Sequence, residues 1–307
     1  MKRKVGIIGL GDIAQKAYLP VVAHDPRIEI AAVMSRSKET AERIGETYRI
    51  AGRTTDLSEL LAQELDAVFV HSPTETHAEI VTACLERGVH VYVDKPLSYK
   101  LEESERMTEQ AEKRGKLLAV GFNRRFAPMY VEAKRWLEET GGFDLCIAQK
   151  HRTRQQTLLA KETLYDDMIH MIDLLLWLGA KPYEVTGWLS EQDGDGRLLH
   201  ASGSLRMGAT ASFVSMNRRT GGDLEKLELH GAGRSAEIVN LDSAVLRDKR
   251  EGERTLRFGS WETVSHRRGF AGIVDHFLAT LDSPDECIVK ADKVLETHRL
   301  VEKLSGM

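Results

Sequence analysis

Hydrophobic positions in the first 120 residues fall into short apolar runs separated by longer amphipathic stretches. The runs predict buried strands at Lys4–Gly9, Glu29–Met34, Asp66–Val70, Val89–Val93 and Leu117–Val120. Helices are predicted from Asp12, with a disturbance at Pro20, and at Lys38–Tyr48, Thr76–Arg87 and Leu101–Arg114. Strands that alternate with helices at this spacing predict βαβ units. We therefore expect a doubly wound parallel sheet, a Rossmann domain, over residues 1–121.

The pattern changes after Phe122. Helices are predicted at Pro128–Thr140 and Leu164–Leu178, and a strand at Asp144–Lys150. From Val185 to about Phe258 short alternating segments are divided by turns such as Asp193–Gly196 and Gly231–Gly233, and helices follow near Gly272–Leu281 and Ala291–Leu304. We expect residues 122–307 to form an α+β domain with a mostly antiparallel open sheet, which serves substrate binding and oligomerisation.

Composition narrows the class of protein. The 307 residues carry 43 Lys and Arg against 47 Asp and Glu, a net charge of −4, which does not support a nucleic-acid-binding protein. Three scattered cysteines argue against a disulfide framework and a zinc site. No apolar run approaches the roughly 20 residues of a membrane-spanning helix, and the basic start lacks a following cleavage site. We expect a soluble cytoplasmic protein without nucleic-acid or membrane partners and without a metal.

The first strand leads directly into Gly9-Leu10-Gly11-Asp12-Ile13-Ala14, which matches G-x-G-x-x-G/A. In this pattern Gly9 permits a tight turn, Gly11 lets the backbone approach a pyrophosphate, and Ala14 allows close packing of helix and strand. Phosphates then lie against free N–H groups at the positive end of the helix. An ordinary glycine-rich turn is the alternative, but the position after the first strand favours a dinucleotide site that includes Asp12 and Ile13.

The end of the second strand bears on cofactor choice. An NAD-preferring site usually places an acid here for the ribose 2′-OH, whereas this chain has Met34-Ser35-Arg36. Arg36 can pair with a 2′-phosphate through two N–H groups, and Ser35 can hydrogen-bond to it. The alternative is a solvated arginine at a loop edge. We expect NADP to be preferred, with NAD also possible.

Two further strand ends carry candidate ligand contacts, since ligands of open parallel sheets bind outside the carboxyl ends of the strands. The third strand is followed by Ser72-Pro73-Thr74 and by His77, which could also be a simple helix-start residue. The fourth ends in Asp94-Lys95-Pro96. Desolvation of Lys95 would lower its pKa and suit it to proton transfer; a solvent-facing turn lysine is the alternative.

In the second domain, Asp166, His170 and Asp173 are spaced i, i+4, i+7, which predicts one stripe along the helix Leu164–Leu178. A histidine with neighbouring carboxylates can act as an acid or base. A metal site lacks an evident fourth ligand. The third reading is a core helix with a buried, satisfied histidine.

Together these segments resemble the Gfo/Idh/MocA family of nicotinamide-dependent oxidoreductases, and the MviM-like branch most closely. Gly9–Ala14, Ser72–Thr74 with His77, Asp94–Pro96, Gly121–Phe126 and Asp166-x-x-x-His170-x-x-Asp173 follow the family order over essentially the whole chain. The resemblance implies that Lys95 is the active-site lysine, His170 the acid/base and Asp166 a substrate-side acid. It also implies cofactor contacts for Asp94, Lys95 and Asn123, and substrate contacts for Lys95, Arg124, Asp166 and His170.

Two departures from the family pattern lie beside the expected substrate. Where the family usually has Glu-Lys-Pro, this chain has Asp94 instead of the glutamate. Where the family has D-x-G-x-H, this chain has Met168 instead of the glycine. Ala160–Thr163 also replaces a glycine-rich run. These departures bear on whether the substrate is the sugar or cyclitol typical of the family.

The resulting hypothesis is hydride transfer between NAD(P) and the hydroxyl or carbonyl carbon of a sugar-like or polyol substrate. A dinucleotide-binding sensor or regulatory protein without turnover is the alternative. We also expect a homodimer or homotetramer, because the antiparallel sheet carries apolar residues, Val185, Trp188, Phe213 and Met216, beyond what one layer of helices would cover.

Overall fold

The computed structural model describes residues 2–179 and 182–307, which form two units. The first unit comprises the chain up to Phe122 together with Phe270–Glu296, and the second comprises Asn123–Gly269 and Thr297–Met307. Our sequence analysis instead assigned everything after residue 121 to the second domain. Aromatic packing explains the difference: Phe277 lies 5.3 Å from Phe69 and 5.5 Å from Tyr92 between ring centroids. Such edge-on ring pairs bury large apolar areas, and this draws the late helix into the first core.

The first unit is built on the predicted parallel sheet. Its strands are β1 Arg3–Ile8, β2 Ile28–Met34, β3 Gly52–Thr54, β4 Ala67–Val70, β5 His90–Val93 and β6 Leu118–Val120. They pair in parallel in the order β3-β2-β1-β4-β5-β6, which confirms the Rossmann arrangement. Sequence analysis missed β3, because a three-residue half-buried edge strand shows no apolar run.

Helices connect these strands, at Leu19–Val22, Lys38–Tyr48, Leu57–Leu61, His77–Glu86 and Leu101–Arg114, and Phe270–Ala279 adds a further one. The disturbance predicted near Pro20 is a π-helical turn at Ala14–Tyr18, in which the Leu19 N–H donates to the Ala14 carbonyl. Pro20 lacks the N–H that would continue α-helical bonding at that point.

The second unit contains an eight-stranded sheet in the order β14-β13-β12-β11-β7-β10-β9-β8. Its strands are β7 Leu145–His151, β8 Tyr183–Gln192, β9 Leu198–Met207, β10 Thr210–Asn217, β11 Leu224–Gly231, β12 Arg234–Val239, β13 Ser243–Asp248 and β14 Gly252–Arg257. The pairs are antiparallel except β7 with β10, so the mostly antiparallel sheet is confirmed. The turns at Asp193–Gly196 and Gly231–Gly233 connect hairpins as predicted.

Helices of this unit run over Pro128–Glu138, Ala160–Thr163 and Ile169–Leu178, with a π-helical turn at Leu164–Met168 and a short helix at Val264–Arg267. The long helix Ala291–Ser305 contributes its part from Thr297 onward. Alternate residues of β7 are buried, which is the pattern of a sheet covered on one face. Met216, which we assigned to the open face with Phe213, is only 1% exposed. The two residues differ by an odd number of positions on β10, and therefore point to opposite faces.

A buried ion pair anchors the helix Ile169–Leu178. The guanidinium of Arg125 donates to both carboxylate oxygens of Asp173 at 2.9 and 2.6 Å, and Thr297 Oγ1 donates to Asp173 at 3.0 Å. Asp173 therefore holds the helix in place. Among the described residues, no helix has the length and apolarity needed to cross a bilayer.

Candidate functional site

A cavity of about 500 Å³ opens in the first unit beyond the carboxyl ends of β1, β2 and β4. This is the place at which open parallel sheets bind ligands. Most of the predicted cofactor residues line it: Gly9, Gly11, Asp12, Ile13, Ser35, Arg36, Ser72 and Pro73. The other predicted cofactor residues are not in its lining: Ala14, Thr74, His77, Asp94, Lys95 and Asn123. Ala14 is fully buried at the start of the π-helical turn, where its small side chain permits close packing.

Gly9 and Gly11 differ in what a side chain would meet. Gly9 has a φ of +86°, and a Cβ there would lie 2.4 Å from the backbone nitrogen of Ser72. Glycine is therefore required for the ends of β1 and β4 to approach this closely. A Cβ at Gly11 would have nothing within 4 Å among the described residues, so the space above it is open to the cavity. These two features fit a bound pyrophosphate.

The rim at the end of β2 is basic and rich in hydroxyl groups. Arg36 is exposed and lines the cavity beside Ser35. Ser37 caps the following helix by accepting from the Thr40 N–H at 3.2 Å, and the positive end of that helix favours anions nearby. Within the described part of the chain, Asp12 is the single carboxylate that lines the cavity, and it belongs to the opposite, glycine-rich side.

His77, predicted as a cofactor contact, is 1% exposed. Its Nδ1 lies 2.9 Å from the Pro96 carbonyl oxygen and its Nε2 3.0 Å from the Ser72 carbonyl oxygen. Burial lowers the pKa of His77, against the opposing effect of those carbonyls. His77 therefore ties the turn after β4 to the turn after β5, and the cofactor contact we predicted for its side chain is replaced by a positioning role.

The turn after β5 presents Lys95, which is half-buried. The Asp94 carboxylate accepts from the Lys95 N–H at 2.9 Å, and the Lys95–Pro96 peptide is cis. Asp94 is thereby engaged in shaping the turn that carries the lysine.

His71 also lines the cavity, and sequence analysis missed it. Its ring stacks on Tyr18 with centroids 4.1 Å apart, and the Tyr18 and Tyr92 hydroxyl oxygens lie 2.7 Å apart beside it. Burial, with a smaller effect of His77, lowers the pKa of His71 to about 3, so the ring is neutral at physiological pH. The sequence did contain a signal for this residue, because His71 directly follows the apolar run of β4.

In the second unit, Asn123 and Arg124 are buried and engaged with other protein groups. Asn123 Nδ2 donates to the Arg268 carbonyl at 2.7 Å, and its Oδ1 accepts from Arg124 at 3.1 Å. A Cβ at Gly269, where φ is +81°, would lie 2.2 Å from the Asn123 carbonyl oxygen, so this contact requires glycine. Arg124 also makes a bidentate pair with Glu225 at 3.1 and 3.0 Å.

The predicted stripe of Asp166, His170 and Asp173 spans three different environments. Asp166 is half-buried and accepts from Gln156 Nε2 at 2.6 Å, Asp173 pairs with Arg125, and His170 is 5% exposed. The π-helical turn at Leu164–Met168 changes the helical phase between Asp166 and His170, which a constant α-helical spacing does not anticipate.

The neighbouring Asp167, which sequence analysis missed, lies in a group of buried charges. It pairs with Lys150 and Arg218, and Arg152 Nε lies 3.9 Å away. Burial lowers the pKa of Lys150 to about 8, against the opposing charge of Asp167. The pKa of Asp167 is held below its usual range because the nearby cations outweigh the effect of its burial. Among the described residues, no cluster of side chains suited to a metal ion is present.

Comparisons with known proteins match both parts of the chain to family models. Residues 3–122 match the Gfo/Idh/MocA model, described as an oxidoreductase family with an NAD-binding Rossmann fold. Residues 128–249 match the YceM-like C-terminal domain.

Two individual relatives extend over nearly the full length of the chain, and a third over most of it. YceM of Salmonella typhimurium (strain LT2), named as an oxidoreductase, is 34% identical over 304 residues, 98% of this chain and 96% of that protein. The crystal structure of the dehydrogenase MviM from Clostridium difficile has a TM-score of 0.94 at 32% identity and covers 100% of this chain and 99% of its own. A scyllo-inositol 2-dehydrogenase (NAD(+)) of Bacillus subtilis (strain 168) is 27% identical over 79% of this chain and 72% of its own length.

The open space above Gly11 leads to a prediction about both stability and dinucleotide binding. Gly11→Ala should leave thermal stability nearly unchanged, because the added methyl meets no protein atom, and should weaken dinucleotide binding about 10-fold or more, because the methyl stands where the pyrophosphate approaches the backbone. Calorimetric titration with NAD and NADP, together with thermal unfolding, measures both effects.

Gly194→Ala, also in open space but in a hairpin of the second unit, is the matched control and should bind dinucleotide normally. Unchanged affinity in Gly11→Ala would remove the assignment of this turn to the pyrophosphate.

Proposed function

Because the chain belongs to the Gfo/Idh/MocA family of oxidoreductases, in the MviM-like branch, we propose that it transfers hydride between NAD(P) and a hydroxyl or carbonyl carbon of a polyol or sugar-like substrate. The observation that carries the proposal is the cradle formed by Gly9 and Gly11 at the carboxyl end of β1. One glycine permits a close backbone crossing, and the other leaves open space at the start of a helix. The relatives named as dehydrogenases support the reaction class.

Bound nicotinamide dinucleotide supplies the hydride acceptor or donor, and the protein's own residues manage binding and protons. Lys95 stabilises or protonates the reacting oxygen, and His170 exchanges a proton with the substrate hydroxyl. Asp166 binds or orients the substrate. Asn123 and Arg124 hold the chain segment that the family places near the nicotinamide and the substrate; their side chains are committed to Arg268 and Glu225.

Catalysis should depend on Lys95 more strongly than cofactor binding does. Lys95→Ala should lower kcat by about 10²-fold or more, because its charge meets the developing charge of the transition state. Dinucleotide affinity should change little, since the pyrophosphate is held at the glycine-rich turn. Steady-state kinetics over a polyol and sugar panel, with calorimetric cofactor titration, measures both; His170→Ala should behave similarly, with an effect that depends on pH.

Lys113→Ala removes an exposed lysine paired with Glu109 and serves as the control. Equal turnover by wild type and Lys95→Ala would overturn the assignment of the lysine. Tight dinucleotide binding by wild type without turnover on any panel member would favour the sensor instead.

The cavity rim supports a preference for NADP. Arg36 presents a planar fork suited to a 2′-phosphate, next to Ser35 and the capped helix start. A partly exposed charge-assisted contact of this kind is worth about 1.5–3 kcal/mol, or roughly 10- to 150-fold in affinity. Calorimetric titration of Arg36→Ala should therefore show NADP losing most of its advantage while NAD changes little.

Arg87→Ala, at an exposed helix end, should alter neither affinity. Tighter binding of NAD than of NADP by the wild type would refute the preference. Nearly equal binding of both would favour stacking of Arg36 on the adenine.

We also propose that the open face of the second sheet joins copies of the chain into a homodimer or homotetramer. Phe213 and Leu189 are 44% and 55% exposed there, and contiguous apolar surface on an open sheet is typical of contacts between copies of a chain. Phe213→Asp should shift the mass measured by light scattering at micromolar concentration toward the monomer. Val131→Asp, on an exposed helix position, should leave the mass unchanged, and a monomeric wild type would contradict the proposal.

A further inference from the structure

The second unit contains an excess of buried positive charge at one end of its sheet. Lys150 lies near the end of β7 and Arg218 directly after β10; these two strands are parallel, so both side chains leave the sheet at the same end. Glu225 lies near the start of β11, which is antiparallel to β7 and therefore begins at that end too. Arg124, Lys150, Arg218 and Glu225 are all at most 6% exposed.

In this buried group the cations outnumber the carboxylates. Glu225 receives the bidentate pair from Arg124 and a hydrogen bond from the Tyr130 hydroxyl at 3.4 Å. Despite burial, the Arg124 charge lowers the pKa of Glu225 to about 2, so this pair is neutral overall. The remaining carboxylate, Asp167, faces the other three cations, Lys150, Arg152 and Arg218. Of the residues that the structure describes in this group, four cations thus face two carboxylates, and two positive charges remain uncompensated.

Neighbouring groups do not remove this excess. The exposed Asp223 carboxylate accepts from the Thr153 N–H and Oγ1 at 2.8 and 3.0 Å, and these bonds, together with the charges of Arg152 and Arg218, lower its pKa. Because Asp223 is exposed, water screens its charge, and the buried cations remain in excess. A fifth cation, Arg268, lies near: partial burial and the charges of Arg124 and Arg152 lower the pKa of its guanidinium, against the opposing charges of Glu225 and Asp242. The balance at this end of the sheet therefore remains positive.

The cluster keeps donor capacity that the protein does not satisfy. Within residues 2–179 and 182–307, the buried Nε of Arg218 has no hydrogen-bond partner. Arg152 keeps 23% of its side chain exposed; its Nη1 donates to the His151 and Leu224 carbonyls at 3.0 and 3.4 Å, and its Nη2 lies 3.8 Å from Glu225. Leaving buried donors and charges unsatisfied is costly, so the arrangement is most stable with an anion present.

We propose that Lys150, Arg152 and Arg218 form an anion subsite, and that the substrate of this enzyme carries an oxyanion group, a phosphate or a carboxylate, that binds there. Two guanidinium groups match the geometry of such oxygens, and two uncompensated charges match a phosphate dianion. The anion subsite is inferred from the buried charges and donors alone. Its use in binding the substrate rests on the proposed function. Asp167, only three residues before the proposed acid/base His170, links the subsite to the same helical segment.

Direct binding tests the subsite without any turnover. Inorganic phosphate is titrated into the protein in chloride-free buffer and followed by ³¹P NMR, with the dinucleotide site saturated so that phosphate cannot occupy the glycine-rich turn. Arg152→Gln should weaken phosphate binding about 10-fold or more, which is the scale of one charge-assisted hydrogen bond. Arg152→Lys should recover part of the loss. Arg206→Gln removes an exposed arginine paired with Glu184 and should bind phosphate as the wild type does.

Matched neutral and anionic substrates test whether the anion subsite binds the substrate. An alditol, its phosphate ester and the corresponding aldonic acid are compared under the same conditions, and kcat/KM should be at least 10²-fold higher for one of the two anionic forms. Arg152→Gln should erase most of that advantage through KM while leaving the neutral alditol nearly unaffected. A phosphate preference and a carboxylate preference both support the subsite and identify the group.

The two proposals fail in different ways. Phosphate binding that depends on Arg152, without turnover of any substrate, would retain the subsite and reject the oxidoreductase. Turnover that favours the neutral alditol, together with phosphate binding that is absent or equal in wild type and Arg152→Gln, would reject the subsite and retain the enzyme. In that case the cluster is a structural ion network neutralised by solvent ions.

Discussion

The first unit depends on one close backbone crossing. At the carboxyl end of β1 the chain passes so near the start of the turn after β4 that no side chain fits between them, and Gly9 with its positive φ is the residue that permits this. The N–H of Gly9 also donates to the Met34 carbonyl at the end of β2, at 3.0 Å. Three strand ends are thereby brought around one cavity. The positions of Ser72 and Arg36 at its wall follow from that junction.

In the second unit, buried charges serve two purposes, depending on whether each cation has a carboxylate partner of its own. Arg125 with Asp173 is a closed pair that fixes a helix, and Arg124 with Glu225 is a second one. Removing one partner of such a pair leaves an uncompensated charge, which is far more costly than the loss of an exposed ion pair. The cations around Asp167 are different because they remain in excess. The same physical rule therefore gives rigidity at the first two places and a site for an anion at the third.

Much of this could be predicted from the sequence. The parallel sheet followed from apolar runs bounded by glycine-rich turns, and the cavity wall followed from where the strands end. Contacts between distant residues could not be predicted in this way. No local pattern shows that Phe277 packs on Phe69 or that Lys150 lies beside Asp167. Nor does any pattern show that the two ring nitrogens of His77 lie next to the carbonyl oxygens of two different turns. Periodicity reports which side of an element is buried, and it does not report the partner.

The π-helical turn at Leu164–Met168 bears on how related chains should be compared. Its bond from the Ile169 N–H to the Leu164 carbonyl encloses one residue more than an α-helical turn does. In effect the turn is a one-residue insertion that leaves no gap in the sequence. An alignment scored position by position would equate Asp166 with an acid four places before the histidine in a regular helix. In space the register on the N-terminal side of this turn is shifted by one residue, so equivalence of position in the sequence and equivalence of chemical role separate here.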